Sequence, residues 1–415
     1  MSIAWRNLWR NPRRTWLTAG AIAFSIFLIL FSRATQLGGF ETMISNATAF
    51  MSGHLQVQHS QFKDDPVLRH LISGKSAVLE KVQSINSVTA VTARLQTFAL
   101  VSVGEKSAGA LVMGVDPLTD SKMSTLSSSV VSGRYLQQSQ ANNYEPVGEP
   151  VDELIMGRLL ARNLGAKLGD EVVLLGSQKD GSVAAMVLTL VGIFDSGQAE
   201  LDRSLLQITA ASFREGFGLG DEAHIIAITI EDIKAVDEVA ARLRAVLDDD
   251  LSIYTWQQLM PELQQTIDMK KSGTSLFFGM LVIMVTFSIV NSYIMTVVER
   301  TPEFGMLLAI GMKPWTLIRM LSFEAFFVGL LGVVMGLLIS GSLVAVLSRV
   351  GIPLPAEVAE MMRAYHMPDR LYPGWSWASA FEASWILLLA TQLAAFFSTV
   401  KVRKLVPVEA MFRRA

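Results

Sequence analysis

Cysteine is absent from the 415 residues. That excludes disulfides, thiolate metal ligands and cysteine nucleophiles, and it suits a domain exposed to an oxidising compartment. Net charge is scarce as well: 35 Lys and Arg stand against 37 Asp and Glu, a formal −2. Without a global basic field there is no case for nucleic acid as a partner. Catalytic motifs are missing too. The nearest approach to a phosphate-binding loop is GSQKDGS (176–182), which has the glycine spacing but Ser182 where the lysine belongs. It lies in a hairpin pattern with no helix after it, so it reads as a turn. The five histidines are His54, His59, His70, His224 and His366. They make no H-E-x-x-H, and His54 and His59 are off a shared helix face, so they read as ordinary surface or core residues. No G-x-S-x-G marks a hydrolase elbow. The chain is expected to bind no metal or cofactor itself and to be no enzyme.

Long apolar runs are what the chain has in quantity. Hydrophobic residues make up 51% and mean hydropathy is +0.40. That is too apolar for an ordinary soluble protein and too polar for one wholly in lipid. Four segments, 16–37, 275–298, 317–347 and 381–400, each hold about 20 or more mostly apolar residues, enough for roughly 30 Å of hydrocarbon. The third is overlong and has room to tilt. The first follows arginines as a secretory leader would. Its apolar run is longer than a leader core, however, and no convincing cleavage pattern follows, so it reads as an uncleaved anchor. Basic residues set the orientation. Residues 1–15 carry Arg6, Arg10, Arg13 and Arg14 with no acid; residues 401–415 carry Lys401, Arg403, Lys404, Arg413 and Arg414 against Glu409. Both ends are expected in the cytoplasm, with 299–316 inside and 38–274 and 348–380 outside.

The insert between the first two spans is long enough for one or two globular units. GHLQVQ (53–58), the run 88–103, GALVMGVD (109–116) and HIIAITI (224–230) read as strands, and 77–85 and 235–247 as amphipathic helices. ELIMGRLLARNLGA (153–166) predicts a strand running into a helix, and 171–194 a hairpin turned by Asp180-Gly181. The pattern predicts an α/β subdomain with a β-rich subdomain, about 125–215, inserted into it. QQSQANNYEPVGEP (137–150) is a loop by composition, either a solvated connector or a partner-binding loop. From Pro261 to Val298 the strongest breaker is Gly273. An unbroken helix there would be about 57 Å long, with 256–274 a stalk on the second span; a break at Gly273 would leave a separate helix. Asn46-Ala47-Thr48 matches a glycosylation sequon, a pattern short enough to arise by chance.

Between the second and third spans, VVERTPEFGMLLAIGMKPWTLIRM (297–320) holds a short helix. Thr301 suits its N-cap, Pro302 its first position, Glu303 its positive end and Gly311 its stop. At some 13 Å it cannot cross a bilayer. Phe304, Met306, Leu307, Leu308 and Ile310 make it apolar almost all round. Such a helix either lies in the membrane interface or buries itself in a partner. The third span carries Gly332-x-x-x-Gly336-x-x-x-Ser340 with Gly329 nearby, small residues that let helices approach closely within the chain or between subunits. Asn291 in the second span needs a polar partner or a cavity. Glu324 costs roughly 2.5–3.5 kcal/mol if it lies near the membrane centre; near the cytoplasmic interface, Arg319 or Arg300 could reach it. Arg33, near the outer end of the first span, can snorkel.

The layout resembles the MacB/FtsX-like permeases, the membrane subunits of type VII ABC transporters. AWRNLWRNPRRTWLT is similar to that family's amphipathic N-terminal segment. LIMGRLLARNLGAKLGDEVVLL is similar to its exterior core domain, and ERTPEFGMLLAIGMKPWTLIRMLSFEA to its strongest motif. The resemblance covers essentially the whole chain. It implies an α+β membrane protein: four transmembrane helices with a large periplasmic α/β plus β-rich domain inserted between helices 1 and 2. It implies that 299–316 contains a coupling helix docking on a separate cytoplasmic ATPase through Glu299, Arg300, Glu303, Phe304, Gly305, Leu308 and Gly311. Thr301-Pro302 departs from the family pattern and should stiffen the start of that helix. The resemblance further implies an ATPase dimer using ATP and Mg²⁺, a second permease subunit, and mechanical work on exterior domains in a bacterial inner membrane. A single exterior insert looks most like the lipoprotein-releasing LolC/LolE branch. That branch implies a periplasmic carrier, with 137–150 and the Gly176–Ser182 turn as candidates to bind it. Efflux of drugs, peptides or toxins with an adaptor and outer-membrane duct, and signalling to a cell-wall hydrolase, are alternatives open to the same fold.

Overall fold

A computed structural model of the chain describes residues 12–50, 52–137, 152–364 and 369–400. Most of the N-terminal segment, nearly all of the 137–150 loop and the tail from 401 lie outside the described residues. The chain divides into two compact units. One holds the membrane helices (Met1–Phe40, Thr266–Leu354, Arg370–Ala415) and the other the insert (Glu41–Gln265, Pro355–Asp369).

Four helices among the described residues are long and apolar enough to cross a membrane. The first, Pro12–Phe50, and the second, Pro261–Glu299, have 39 residues each, about 58 Å at 1.5 Å per residue. The third is Pro314–Val350 and the fourth Trp377–Val400. The first three outrun the segments marked by hydropathy. Their polar extensions, such as ELQQTIDMKK (262–271), are rich in good helix formers, and the second helix passes Gly273 unbroken. The shared core takes Ile22 and Ile26 from the first helix, Val285 and Ile289 from the second, Val333 from the third and Leu387 from the fourth. In lipid the hydrophobic effect does not draw helices together, so shape decides. A Cβ at Gly332 would lie 2.8 Å from the Ala19 carbonyl, and one at Gly336 2.8 Å from the Ala23 carbonyl and 2.7 Å from Ile26. The glycine stripe is thus occupied within the chain, by the first helix. Gly329 faces Leu388 and Thr391 of the fourth helix. The Ser340 hydroxyl is satisfied by donating to the Gly336 carbonyl at 2.7 Å.

The insert is built on ten strands: β1 (Leu55–His59), β2 (Val88–Val103), β3 (Lys106–Val115), β4 (Val130–Gly133), β5 (Glu153–Gly157), β6 (Glu171–Ser177), β7 (Val183–Phe194), β8 (Leu205–Thr209), β9 (Ile225–Ile230) and β10 (Leu251–Thr255). They pair in the order β10-β1-β9-β2-β3-β8-β5-β7-β4, and β6 pairs with both β2 and β7. The circuit β2-β3-β8-β5-β7-β6 therefore closes a six-stranded barrel, filled by Leu95, Val101, Val112, Leu154, Leu174 and Leu206 among others. The strands β10-β1-β9-β2 form an antiparallel sheet carrying the helices Lys75–Gln83 and Val236–Val246. The 16-residue β2 belongs to both layers. Val88 to Arg94 pair with β9, and Leu100 to Ser102 pair with β6. The barrel therefore starts well before residue 125, because a strand too long for one sheet serves two.

Some elements carried no readable pattern. β8 is buried at every position, so it lacks the alternation that marks a half-exposed strand. The 348–380 loop contains a small hairpin, Ile352–Pro353 with Arg370–Leu371, and the helix Ala356–Ala364.

Candidate functional site: the turn between the second and third spans

The second helix stops at Glu299, and a new helix, Thr301–Ala309, starts after the single residue Arg300. Pro302 explains the break. It has no N–H for the Val298 carbonyl, and its ring crowds that carbonyl. Thr301 does not cap the new helix. The cap position is Arg300, and the Thr301 hydroxyl donates back to the Val297 carbonyl at 2.7 Å. No side-chain cap is required, because the chain arrives from a helix already in progress: Arg300 N–H donates to Thr296 and Phe304 N–H to Arg300. The far end closes at Gly311, whose φ of +98° suits glycine. Gly311 N–H donates to the Leu308 carbonyl at 3.0 Å and Met312 N–H to that of Leu307 at 3.1 Å, the paired bonds of a Schellman stop.

Arg300 holds the turn to the third helix. Its Nε lies 3.1 Å from Glu303 and its Nη1 3.3 Å from Glu324, with the guanidinium 5.4 Å from the Phe304 ring centre. Glu324 is therefore met by Arg300, while Arg319 is exposed. Phe304 is fully buried, packed with Val297, Leu317 and Leu321. Gly305 is buried beside it. Of the seven residues that the family resemblance nominates, Phe304 and Gly305 thus face inward and Arg300 acts as a clamp. Glu299 and Gly311 are exposed, and Glu303 and Leu308 half-buried. The outward apolar surface belongs to residues outside that set: Ile310 is 78% exposed, Met306 55% and Trp315 54%. Their apolar character was readable in the sequence. Which face they occupy was not, because the helix is apolar on all sides.

Asn291 is exposed on the second helix. It lines an open groove of about 850 Å³ with Ser288, Ser292 and Glu299, and with Arg13 and Leu17 of the first helix. Ser292 Oγ lies 3.3 Å from Thr18 Oγ1 across the two helices.

The insert contains polar groups that fix its own structure. Arg94 and Asp120, both essentially inaccessible, meet at 2.6–2.7 Å. The Tyr135 hydroxyl adds a bond to Asp120 at 3.3 Å. The His224 Nδ1 accepts the Gln96 N–H at 3.1 Å and its Nε2 lies 3.2 Å from the Leu68 carbonyl. Burial pushes its pKa down to about 4. His54 is also lowered by burial, and its Nδ1 accepts the Ile230 N–H at 3.1 Å. The Asp180-Gly181 turn is a tight hairpin with Gly181 at φ +88°.

Residues 15–246, more than half of the chain, match the MacB-like periplasmic core domain, and residues 275–407 match the FtsX-like permease C-terminal domain. The lipoprotein-releasing system transmembrane protein LolC of Xylella fastidiosa (strain Temecula1 / ATCC 700964) is 23% identical over 240 residues, 57% of this chain and 56% of that one. The chain thus spans about half the length of the LolC relatives it matches. LolE of Haemophilus influenzae is 22% identical over 367 residues, 81% of each chain. The crystal structure of the periplasmic region of MacB from Actinobacillus actinomycetemcomitans is 16% identical, covering 52% of this chain and 92% of that one at a TM-score of 0.36. On both of its domains, the chain belongs to the MacB/FtsX-like family of ABC-transporter permeases.

Proposed function

We propose that this chain is the inner-membrane permease subunit of a transporter that releases lipoproteins from the membrane, driven by a separate cytoplasmic ATPase. The observation that carries the reading is the turn at 299–316. A short helix locked by Arg300, Phe304 and Gly311 presents Met306, Ile310 and Trp315 outward. That is an apolar knob held rigidly enough to transmit force. Arginines before the first helix and basic residues after the fourth support a cytoplasmic position for it. On this reading ATP and Mg²⁺ are used by the partner ATPase. Closure of the ATPase pair would push the knob, and the unbroken helix Pro261–Glu299 would carry that movement outward. The lipoprotein cargo is favoured by the LolC and LolE relatives. A second permease subunit completes the machine.

Affinity purification from gently solubilised membranes, with mass spectrometry of everything retained, tests this. An ATPase, a second permease and acylated proteins are the expected set. An ATPase with an adaptor and outer-membrane duct would replace lipoprotein release by efflux, and one with a cell-wall hydrolase would replace it by signalling. Absence of any ATPase from a folded preparation would refute the coupling role of the turn.

A further inference from the structure

We propose that the membrane unit carries a second site, at the end away from the 299–316 turn, that takes the phosphodiester headgroup of a glycerophospholipid. The first, second and fourth helices and the segment leading into the fourth line a cavity of about 310 Å³. Leu30, Leu37 and Phe278 give its lining apolar surface. Arg33, Lys271 and Trp375 line it as well. The Trp375 indole nitrogen is buried and has no hydrogen-bond partner among the described residues. A buried N–H without an acceptor is unfavourable, and the residue that carries it is part of the cavity lining.

Two cations accompany that donor. Arg33 is fixed in place: its Nη1 and Nη2 donate to Glu382 at 2.5 and 3.3 Å, and its guanidinium lies 5.3 Å from the Phe278 ring centre. A guanidinium has five N–H donors, so this pairing does not exhaust it. Lys271 is looser, 4.0 Å from Asp268 with a side chain 57% exposed. The wall bearing Trp375 is positioned by backbone. Gly374 N–H donates to the Ala34 carbonyl at 2.9 Å, and a Cβ on Gly38 would sit 1.8 Å from the Tyr372 carbonyl oxygen.

Depth and composition distinguish a lipid from a soluble anion. Arg33 stands about 27 Å along the first helix from Thr15, which places it at the opposite membrane interface. Trp375 and Trp377 pack edge to face at 5.5 Å there, as aromatic residues do at headgroup level. The volume suits a phosphate and glycerol; acyl chains would leave along Leu30 and Phe278 into the bilayer. The inference requires only that the chain spans a membrane, so it stands or falls apart from the cargo.

The test is native mass spectrometry of the delipidated full chain in detergent, titrated with dioleoylphosphatidylglycerol and, separately, with inorganic phosphate. One lipid per chain should bind first, and phosphate at least about 100-fold more weakly. Trp375→Phe keeps the ring and removes the donor; Lys271→Gln removes the rim charge from an exposed position. Each should weaken that first lipid by about five- to tenfold, the effect of one hydrogen bond or charge contact. Thermal melting confirms that each variant is folded, and Lys271→Gln stands alone if Trp375→Phe is not. Unchanged lipid affinity in the folded variants, or phosphate binding as tightly as lipid, would overturn the proposal.

Discussion

The sharpest consequence of the turn geometry is that two kinds of apolar residue on one nine-residue helix should fail in different ways. Phe304 is inaccessible and sits among Val297, Leu317 and Leu321. Phe304→Ala should cost about 3–5 kcal/mol of stability through lost burial and the cavity left behind. An Asp there would do worse, by burying a charge. Met306 and Ile310, by contrast, are 55% and 78% exposed. Their substitution should leave the fold almost untouched. What it removes is surface for a partner. Burying such a side chain fully is worth about 1.5–3 kcal/mol. Scaled by exposure, the pair accounts for about 2–4 kcal/mol of docking, or roughly 30- to 700-fold in affinity.

The assay compares Phe304→Ala with Met306→Asp/Ile310→Asp in the full chain, using thermal melting in detergent and retention of the ATPase on the immobilised permease. Phe304→Ala should melt several degrees lower while any folded fraction still retains ATPase. The Met306/Ile310 double variant should melt as the parent does and lose the ATPase. The reasoning fails if the double variant retains the ATPase at parental affinity, or if Phe304→Ala is as stable as the parent. A test built on Phe304 and Leu308, the choice the motif alone suggests, would confuse unfolding with undocking.

Other outcomes follow from the same structure. Protonating His224 would put a proton on Nδ1 where it now accepts the Gln96 N–H. The unfolded chain takes that proton near pH 6.5, the folded chain only near 4. Stability from this residue is therefore full above pH 6.5 and falls as the pH drops toward 4, by at most about 3 kcal/mol. Melting of the insert's near-UV dichroism across that range should show the loss, and His224→Phe should flatten it. Asp120→Ala removes the carboxylate paired with the Arg94 guanidinium, which is 2% exposed. It should cost about 3–5 kcal/mol, read as a lower urea midpoint for β2 in hydrogen exchange; a shift below 1 kcal/mol would count against the pair's role. Gly336→Val should lower the melting temperature by overpacking against the Ala23 carbonyl and Ile26, a penalty of about 1–3 kcal/mol. Gly20→Ala, facing open space on the first helix, is the control that should melt as the parent does.

What could be read in advance depended on whether one segment alone carried the information. The spans were legible because a run of apolar residues suffices to mark them. The second span's extension back to Pro261 was legible too, from the lack of a strong breaker; the first span's extension to Phe50 was not, because its polar turns carry no apolar mark. Two signals at the turn were local enough to read, Pro302 as the start of a short helix and Gly311 as its stop. Thr301 misled because, so soon after a helix ending at Glu299, its hydroxyl bonds back to the Val297 carbonyl and does not cap forward. The strand 88–103 was plain by composition, but its membership in both sheet and barrel is decided by β6 and β9, far away in sequence.

The same rule separates the two sites. In a helix apolar on every side, hydropathy cannot choose a face. Leu317 and Leu321, returning on the third helix, make the choice by covering Phe304. The proposed docking surface is what remains once the chain has packed against itself, so Met306, Ile310 and Trp315 are found by subtraction and not by motif. The cavity at Trp375 is a further step removed from sequence. Its walls come from residues 30–40, 271–278 and 374–379, and no one of these stretches is unusual for a membrane helix end. A donor without an acceptor is a property of their assembly alone. Sites made by single segments should therefore be visible across distant relatives as motifs, whereas sites made by convergence of three should be sought in coordinates, as orphaned polar atoms in otherwise satisfied walls.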